Sequence, residues 1–93
     1  MDKAVRGRPK KVRPEPQVAS DADRLAHQKA LGERLREQRE LRGWSQADLA
    51  HRTSLTATAI REIEQGRRAP MTWTVWLLSR ALGCPSGWLA FGG

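Results

Sequence analysis

The 93-residue sequence predicts an all-α fold, a compact bundle of about five helices. Three observations carry that expectation. Runs of helix-forming residues alternate with Ser, Thr, Gly and Pro at positions suited to starting and stopping helices. Inside those runs apolar residues recur at helical spacing. No stretch alternates apolar and polar residues as a half-buried strand would, and no internal repeat is present.

The elements follow in order. Residues 1–18 hold six basic and two acidic side chains, a net of +4 out of the chain's +7. They also contain Pro9, Pro14 and Pro16, with only Met1, Val5, Val12 and Val18 as large apolar residues. Such a segment buries too little surface to offset its ordering entropy, so residues 1–19 are expected to be a disordered basic arm and residues 20–93 the folded domain. Ser20-Asp21-Ala22-Asp23 resembles a capping box, with acidic side chains where the helix dipole favours them. A long helix should run from there to Arg42, interrupted in composition only by Gly32 and stopped by Gly43. Leu25, Leu31, Leu35 and Gln38 trace its inward stripe. Ser45 caps a short helix from Gln46 to Thr53, with Leu49 and Ala50 inward. Thr56 caps a second from Ala57 to Gln65, with Ile60 and Ile63 inward at i, i+3. Gly66 ends it, and Arg67-Arg68-Ala69-Pro70 forms a basic connector. A fourth helix spans Thr72 to Leu82, stopped by Gly83 and Pro85, and Ser86 to Phe91 forms a last turn or short helix.

Composition narrows the function. An excess of 17 basic over 10 acidic residues, with a pI near 11.1, favours a polyanionic partner: nucleic acid first, an acidic membrane surface second. The longest apolar run, Val75-Trp76-Leu77-Leu78, is far too short to cross a bilayer, and no signal-peptide pattern is present. The basic arm also lacks an amphipathic partner helix rich in large apolar residues, which argues against membrane binding. One cysteine, Cys84, excludes an internal disulfide. His27, His51 and Cys84 lack metal-ligand spacing and no Gly-rich phosphate loop occurs, so neither a metal nor a cofactor is expected and an enzyme is a poor reading.

Two short helices joined by Ser54-Leu55-Thr56 are the central feature. From Gln46 to Gln65, Leu49, Ala50, Leu55, Ile60 and Ile63 fall where two crossed helices need apolar contacts. That arrangement looks like a helix-turn-helix, whose second helix enters the DNA major groove. The sequence resembles the phage repressor/Cro-like (XRE) helix-turn-helix family, and so implies a lambda-repressor-like bundle. The stretches LGERLREQRELRGWSQADLA, TATAIREIEQGRRAP and ALGCPSGWLAFG carry the resemblance, from about Leu31 to Gly92. One position departs: the family usually places Gly at the turn, and here it is Ser54. A left-handed backbone there would cost roughly 1 kcal/mol.

The resemblance implies residue roles. Thr56, Ala57, Thr58, Arg61 and Glu62 match positions that read base edges. Arg61 suits guanine O6 and N7, Ala57 or the Thr58 methyl suits a thymine methyl, and Glu62 suits a cytosine amine. Arg61 as a solvated helix cation, and Glu62 as a surface charge paired with a neighbouring Arg, remain open alternatives. Gln46 matches a phosphate contact, and Arg67 and Arg68 suit the DNA backbone, although a solvated basic loop would look the same. Arg39 and Glu64 match a largely buried salt bridge and belong to the fold.

Trp44, Val75, Leu78, Leu82, Trp88 and Leu89 read as core. Trp73 and Leu77 form a separate face at i, i+4, joined by Phe91, which suggests a homodimer interface or packing under the last turn. In the arm, Arg6-Gly7-Arg8-Pro9-Lys10-Lys11 resembles the core of an AT-hook, in which Gly lets the backbone lie in the minor groove and the arginines follow A·T-rich floor. A basic tail on phosphates is the simpler account of the same residues. The expected function is a sequence-specific, homodimeric repressor acting on double-stranded DNA at a palindromic operator of a phage, plasmid or similar mobile element. The implied location is the bacterial cytoplasm, on the nucleoid when bound. An alternative is an antitoxin that binds a partner protein, with Ser20–Lys29 as the partner-binding element, and regulates its own operon.

Overall fold

Ser20 starts the first helix as its residues demand. Its hydroxyl accepts from the Asp23 backbone N–H at 3.1 Å, and the Asp23 carboxylate accepts in return from the Ser20 N–H at 3.0 Å. In this computed structural model, which describes residues 18–93, helix α1 spans Asp21–Leu41. Helix α2 spans Gln46–Thr53, α3 Ala57–Glu64, α4 Thr72–Leu82 and α5 Ser86–Phe91. The described residues form no strand, so the all-α expectation holds. The basic arm with Arg6, Gly7, Arg8, Pro9, Lys10 and Lys11 lies outside the described residues.

Ser45 repeats the reciprocal cap with Asp48 at the start of α2, and the Thr56 hydroxyl accepts from Ala59 N–H at the start of α3. In both boxes the hydrogen bonds from the serine hold the aspartate, Asp23 or Asp48, below the usual carboxylate range.

One core collects Leu31 and Leu35 from α1, Leu49 from α2, Ile60 and Ile63 from α3, Val75, Leu78 and Leu82 from α4, and Leu89 from α5. Trp44, Ala50, Leu55 and Trp88 pack on its rim. The long helix lies across α3 and α5, and α2 packs against α3 and α4. Gly32 explains the close approach of α1 to α3. A Cβ there would sit 2.3 Å from the Ile63 carbonyl oxygen and 2.7 Å from that of Glu64. The sequence marked Gly32 as a flaw in helix propensity; its role is to let two backbones touch.

Two expectations for α1 need correction. Leu25 is 52% exposed rather than inward, and Gln38 is only half-buried. Gln28 is the first buried side chain of α1, so the helix runs nearly two turns past the core before its stripe begins to bury. A periodic pattern marks a face but not where a neighbour starts covering it. No helix among the described residues is long and apolar enough to cross a membrane.

Candidate nucleic-acid interface

The turn between α2 and α3 sets their relation. Ser54 closes α2 with φ 63° and ψ 17°, the left-handed conformation that the Ser-for-Gly departure put in question. Ser54 is the only non-glycine residue with positive φ among the described residues. Thr53 offsets part of that strain. Its buried hydroxyl donates to the Leu49 carbonyl at 2.8 Å and supports the turn beneath Leu55.

Helix α3 is amphipathic. Ala59, Ile60, Ile63 and Glu64 are buried, while Thr56, Thr58 and Arg61 are exposed and Ala57 and Glu62 half-buried. The five residues matched to base reading thus fall on or beside the outward face of one two-turn helix. They differ in how far their polar atoms are committed. Thr56 spends its hydroxyl oxygen on the cap. Glu62 pairs with Arg68 at 2.8 Å, the arrangement in which a surface carboxylate is answered by a neighbouring arginine. Arg61 is exposed and makes no salt bridge to any described residue.

At the far end α3 closes in a Schellman arrangement. Gly66 N–H donates to the Ile63 carbonyl at 3.0 Å and Arg67 N–H to the Glu62 carbonyl at 2.9 Å. Gly66 adopts φ +74°, and a Cβ there would come within 3.0 Å of Lys29 Cα, so this end of α3 is pressed against α1. The turn delivers Arg67 and Arg68 immediately beyond α3, both exposed. Among the described residues the Arg67 guanidinium bonds to Gln65 Oε1 alone, at 3.2 Å.

Arg39 and Glu64 form the pair implied by the resemblance. Arg39 Nε donates to Glu64 Oε2 at 2.7 Å and Nη2 to Oε1 at 2.9 Å, with side-chain exposures of 11% and 3%. The Glu64 carboxylate raises the Arg39 pKa above its ordinary value, against the opposing effect of burial. Gln46 also reaches this pair, with Nε2 donating to Glu64 Oε1 at 3.1 Å. Its side chain therefore points toward the C-terminal end of α3.

On the opposite side of α4 lies an apolar face. Trp73 is 61% exposed and Phe91 78%, while Leu77 is half-buried. Trp76, which sequence reasoning left in an undifferentiated apolar run, stacks on Trp73 with ring centroids 4.9 Å apart, and the Arg80 guanidinium sits 5.1 Å from the Trp76 centroid. A helical wheel held the signal, since Trp76 lies only 60° around the helix from Trp73. Phe91 stacks on His27 at 5.5 Å, and these two with Trp76 border a groove of about 280 Å³. Arg34 was also missed. It donates to the Leu89 and Ala90 carbonyls, both at 2.9 Å, and so ties α5 to α1 across 55 residues of sequence. Nothing local announces such a partner.

Two short crossed helices with capped starts, an apolar inner face and an outward face bearing Thr58 and Arg61 define a helix-turn-helix DNA-binding domain. Comparison with known proteins agrees. A family model described as Helix-turn-helix (HTH_3) matches residues 35–89, more than half of the chain. The restriction-modification controller protein C.AhdI from Aeromonas hydrophila has a similar structure, with a TM-score of 0.66 and 31% identity, covering 69% of this chain and 97% of that one. A hypothetical transcription factor, NHTF from Neisseria, gives a TM-score of 0.68 at 25% identity over 82% of this chain and 85% of its own. An HTH_3 family transcriptional regulator from Vibrio cholerae shares the fold, with a TM-score of 0.67 at 21% identity. That match covers 71% of this chain but only 37% of the Vibrio protein. No curated protein is matched by the sequence. The chain belongs to the HTH_3 helix-turn-helix family and is a DNA-binding transcription regulator.

Proposed function

We propose that the protein is a homodimeric, sequence-specific repressor of a phage, plasmid, restriction-modification or similar promoter, acting by binding rather than catalysis. The observation that carries this reading is the free outward face of α3. Thr58 and Arg61 are exposed there, with Arg67 and Arg68 delivered beside them by the Schellman turn. Arg61 and the Thr58 and Ala57 methyl groups read base edges in the major groove, with Thr56 and Glu62 at its margins. Gln46, Arg67 and Arg68 hold the DNA backbone. Arg68 engages Oε1 of Glu62, which leaves Oε2 to accept from a cytosine amine. Similarity to a restriction-modification controller protein supports control of such a gene cluster among the settings named.

Pairing of two chains rests on the exposed aromatic face. Trp73, Trp76 and Phe91 are large apolar side chains left exposed, with Leu77 half-buried, and exposed aromatic groups of this kind suit a protein interface. The resulting dimer places two α3 helices about one DNA turn apart on a rough palindrome. The arm's Arg6, Gly7, Arg8, Pro9, Lys10 and Lys11 then occupy an adjacent A·T-rich minor groove. Action on DNA places the protein in the bacterial cytoplasm, on the nucleoid when bound.

Footprinting on the DNA upstream of its own gene, with light scattering at micromolar concentration, tests this reading. Protection of two related half-sites by a particle of about twice 10.5 kDa is expected, and Trp73→Glu should return it to one chain. A single chain bound per site would overturn the dimer. A second reading, an antitoxin, draws on the groove among His27, Trp76 and Phe91 as a seat for a partner protein. A toxin co-purifying at fixed stoichiometry would favour it.

A further inference from the structure

Glu64 does more than neutralise Arg39. Its Oε1 accepts from two donors at once, Arg39 Nη2 at 2.9 Å and Gln46 Nε2 at 3.1 Å. A carboxylate accepts and never donates, so the Gln46 carboxamide must turn its nitrogen toward Glu64 and its oxygen away. One of the two amide hydrogens is spent there. The other remains, at the first residue of α2, where the half-buried side chain still meets solvent.

The same pair also grips the backbone that leads into α2. Arg39 Nη1 donates to the Trp44 carbonyl at 2.7 Å, one residue before the Ser45 cap. The start of α2 is therefore held by three devices: the Ser45–Asp48 box, the Arg39 bond to Trp44, and the Glu64 bond to Gln46. Two of the three pass through the buried ion pair.

We propose that Glu64 is a positioning residue for DNA binding: it fixes the orientation of the Gln46 carboxamide, so that the second N–H donates to a DNA phosphate. This rests on the reading of Gln46 as a backbone contact. Freed from Glu64, the carboxamide would rotate and present its oxygen to the phosphate half the time. The ion pair between α1 and the end of α3 thus reaches the DNA through a neutral side chain.

The test uses four full-length proteins: wild type, Gln46→Ala, Glu64→Gln and the double variant. Glu64→Gln keeps size and an acceptor for Arg39, but its own amide can face Gln46 either way. Binding is read on the footprinted operator duplex and on a random duplex, below the melting temperature of each protein. Gln46→Ala should weaken binding to both by about tenfold, the loss of one hydrogen bond to a charged group. The salt slope should not change, because Gln46 carries no charge and displaces no counterion. Glu64→Gln should weaken binding by about twofold alone, the factor for a carboxamide that faces either way, and add nothing in the Gln46→Ala background. Independent of any variant, NMR of the wild-type protein should show two well-separated amide protons for Gln46, one of them protected from exchange by Glu64.

Losses that add in the double variant would overturn the proposal while leaving Gln46 as a contact. No loss in Gln46→Ala would overturn both the contact and the proposal. Solvent-like Gln46 amide protons in the wild type would overturn the positioning role even if Glu64→Gln failed to fold.

Discussion

Replacing Glu64 by Ala strands Arg39 inside the domain. The Arg39 side chain is 11% exposed, and Nε and Nη2 both lose their partner, leaving the Nη1 bond to the Trp44 carbonyl. It does not escape by losing its proton, because the guanidinium pKa lies far above any working pH. The Gln46 amide is released at the same time. Breaking a buried pair by removing one partner typically costs about 3–5 kcal/mol. At roughly 0.05–0.15 kcal/mol per residue, a domain of this size holds about 4–11 kcal/mol in total. Glu64→Ala should therefore remove from about a quarter of the stability to all of it. Urea titration followed by far-UV circular dichroism measures the loss, with the transition midpoint falling and the slope unchanged. The double variant Arg39→Met/Glu64→Leu removes both charges and should recover most of the deficit, since a well-packed apolar pair is often no worse than a buried ion pair. A Glu64→Ala protein melting within a few degrees of wild type would show that Arg39 finds another partner or reaches water, and the reasoning would fail.

Four further outcomes are expected. Ser54→Gly should stabilise by up to about 1 kcal/mol, because φ 63° is free of strain for Gly; a lower melting temperature would mean that the extra chain entropy outweighs it. Gly32→Ala should destabilise by about 1–3 kcal/mol despite Ala's better helix propensity, since backbone oxygens at 2.3 and 2.7 Å cannot yield without moving α1 off α3; a more stable variant would refute that close contact. The Asp23 and Asp48 caps have depressed folded-state pKa values, so their stabilisation is present above the unfolded carboxylate pKa and is lost as pH falls through the folded value. Amide exchange in the first turns of α1 and α2 should rise below about pH 4 in wild type but not in Asp48→Asn for α2. Arg61→Ala should cost about 1–3 kcal/mol on the operator and less on random DNA, whereas Arg67→Ala should weaken both alike and lower the salt slope by about one; reversed behaviour would exchange their roles.

The sequence by itself determined the elements and their order. Ser20, Ser45 and Thr56 are short side chains whose oxygens satisfy backbone donors within three residues, so each helix start is a local transaction visible in the chain. Gly66 and Gly83 mark helix ends for an equally local reason, the positive φ that follows the last turn. The apolar spacing of Leu49, Ile60 and Ile63 picked the inner faces of α2 and α3, and thereby the outward face with Thr58 and Arg61. The Arg39–Glu64 pair was legible only through resemblance, because nothing within either segment announces a partner 25 residues away.

What the tertiary structure decided are the contacts between segments remote in sequence. It placed Gly32 against the Ile63 carbonyl, turned Gln46 onto Glu64, and spent Arg34 on the end of α5. It also left Leu25 outside the core. Each of these depends on how far one helix overlaps the next and at what distance. Caps and periodicity carry angular information along a single helix, whereas overlap and distance emerge only when all five pack around one core.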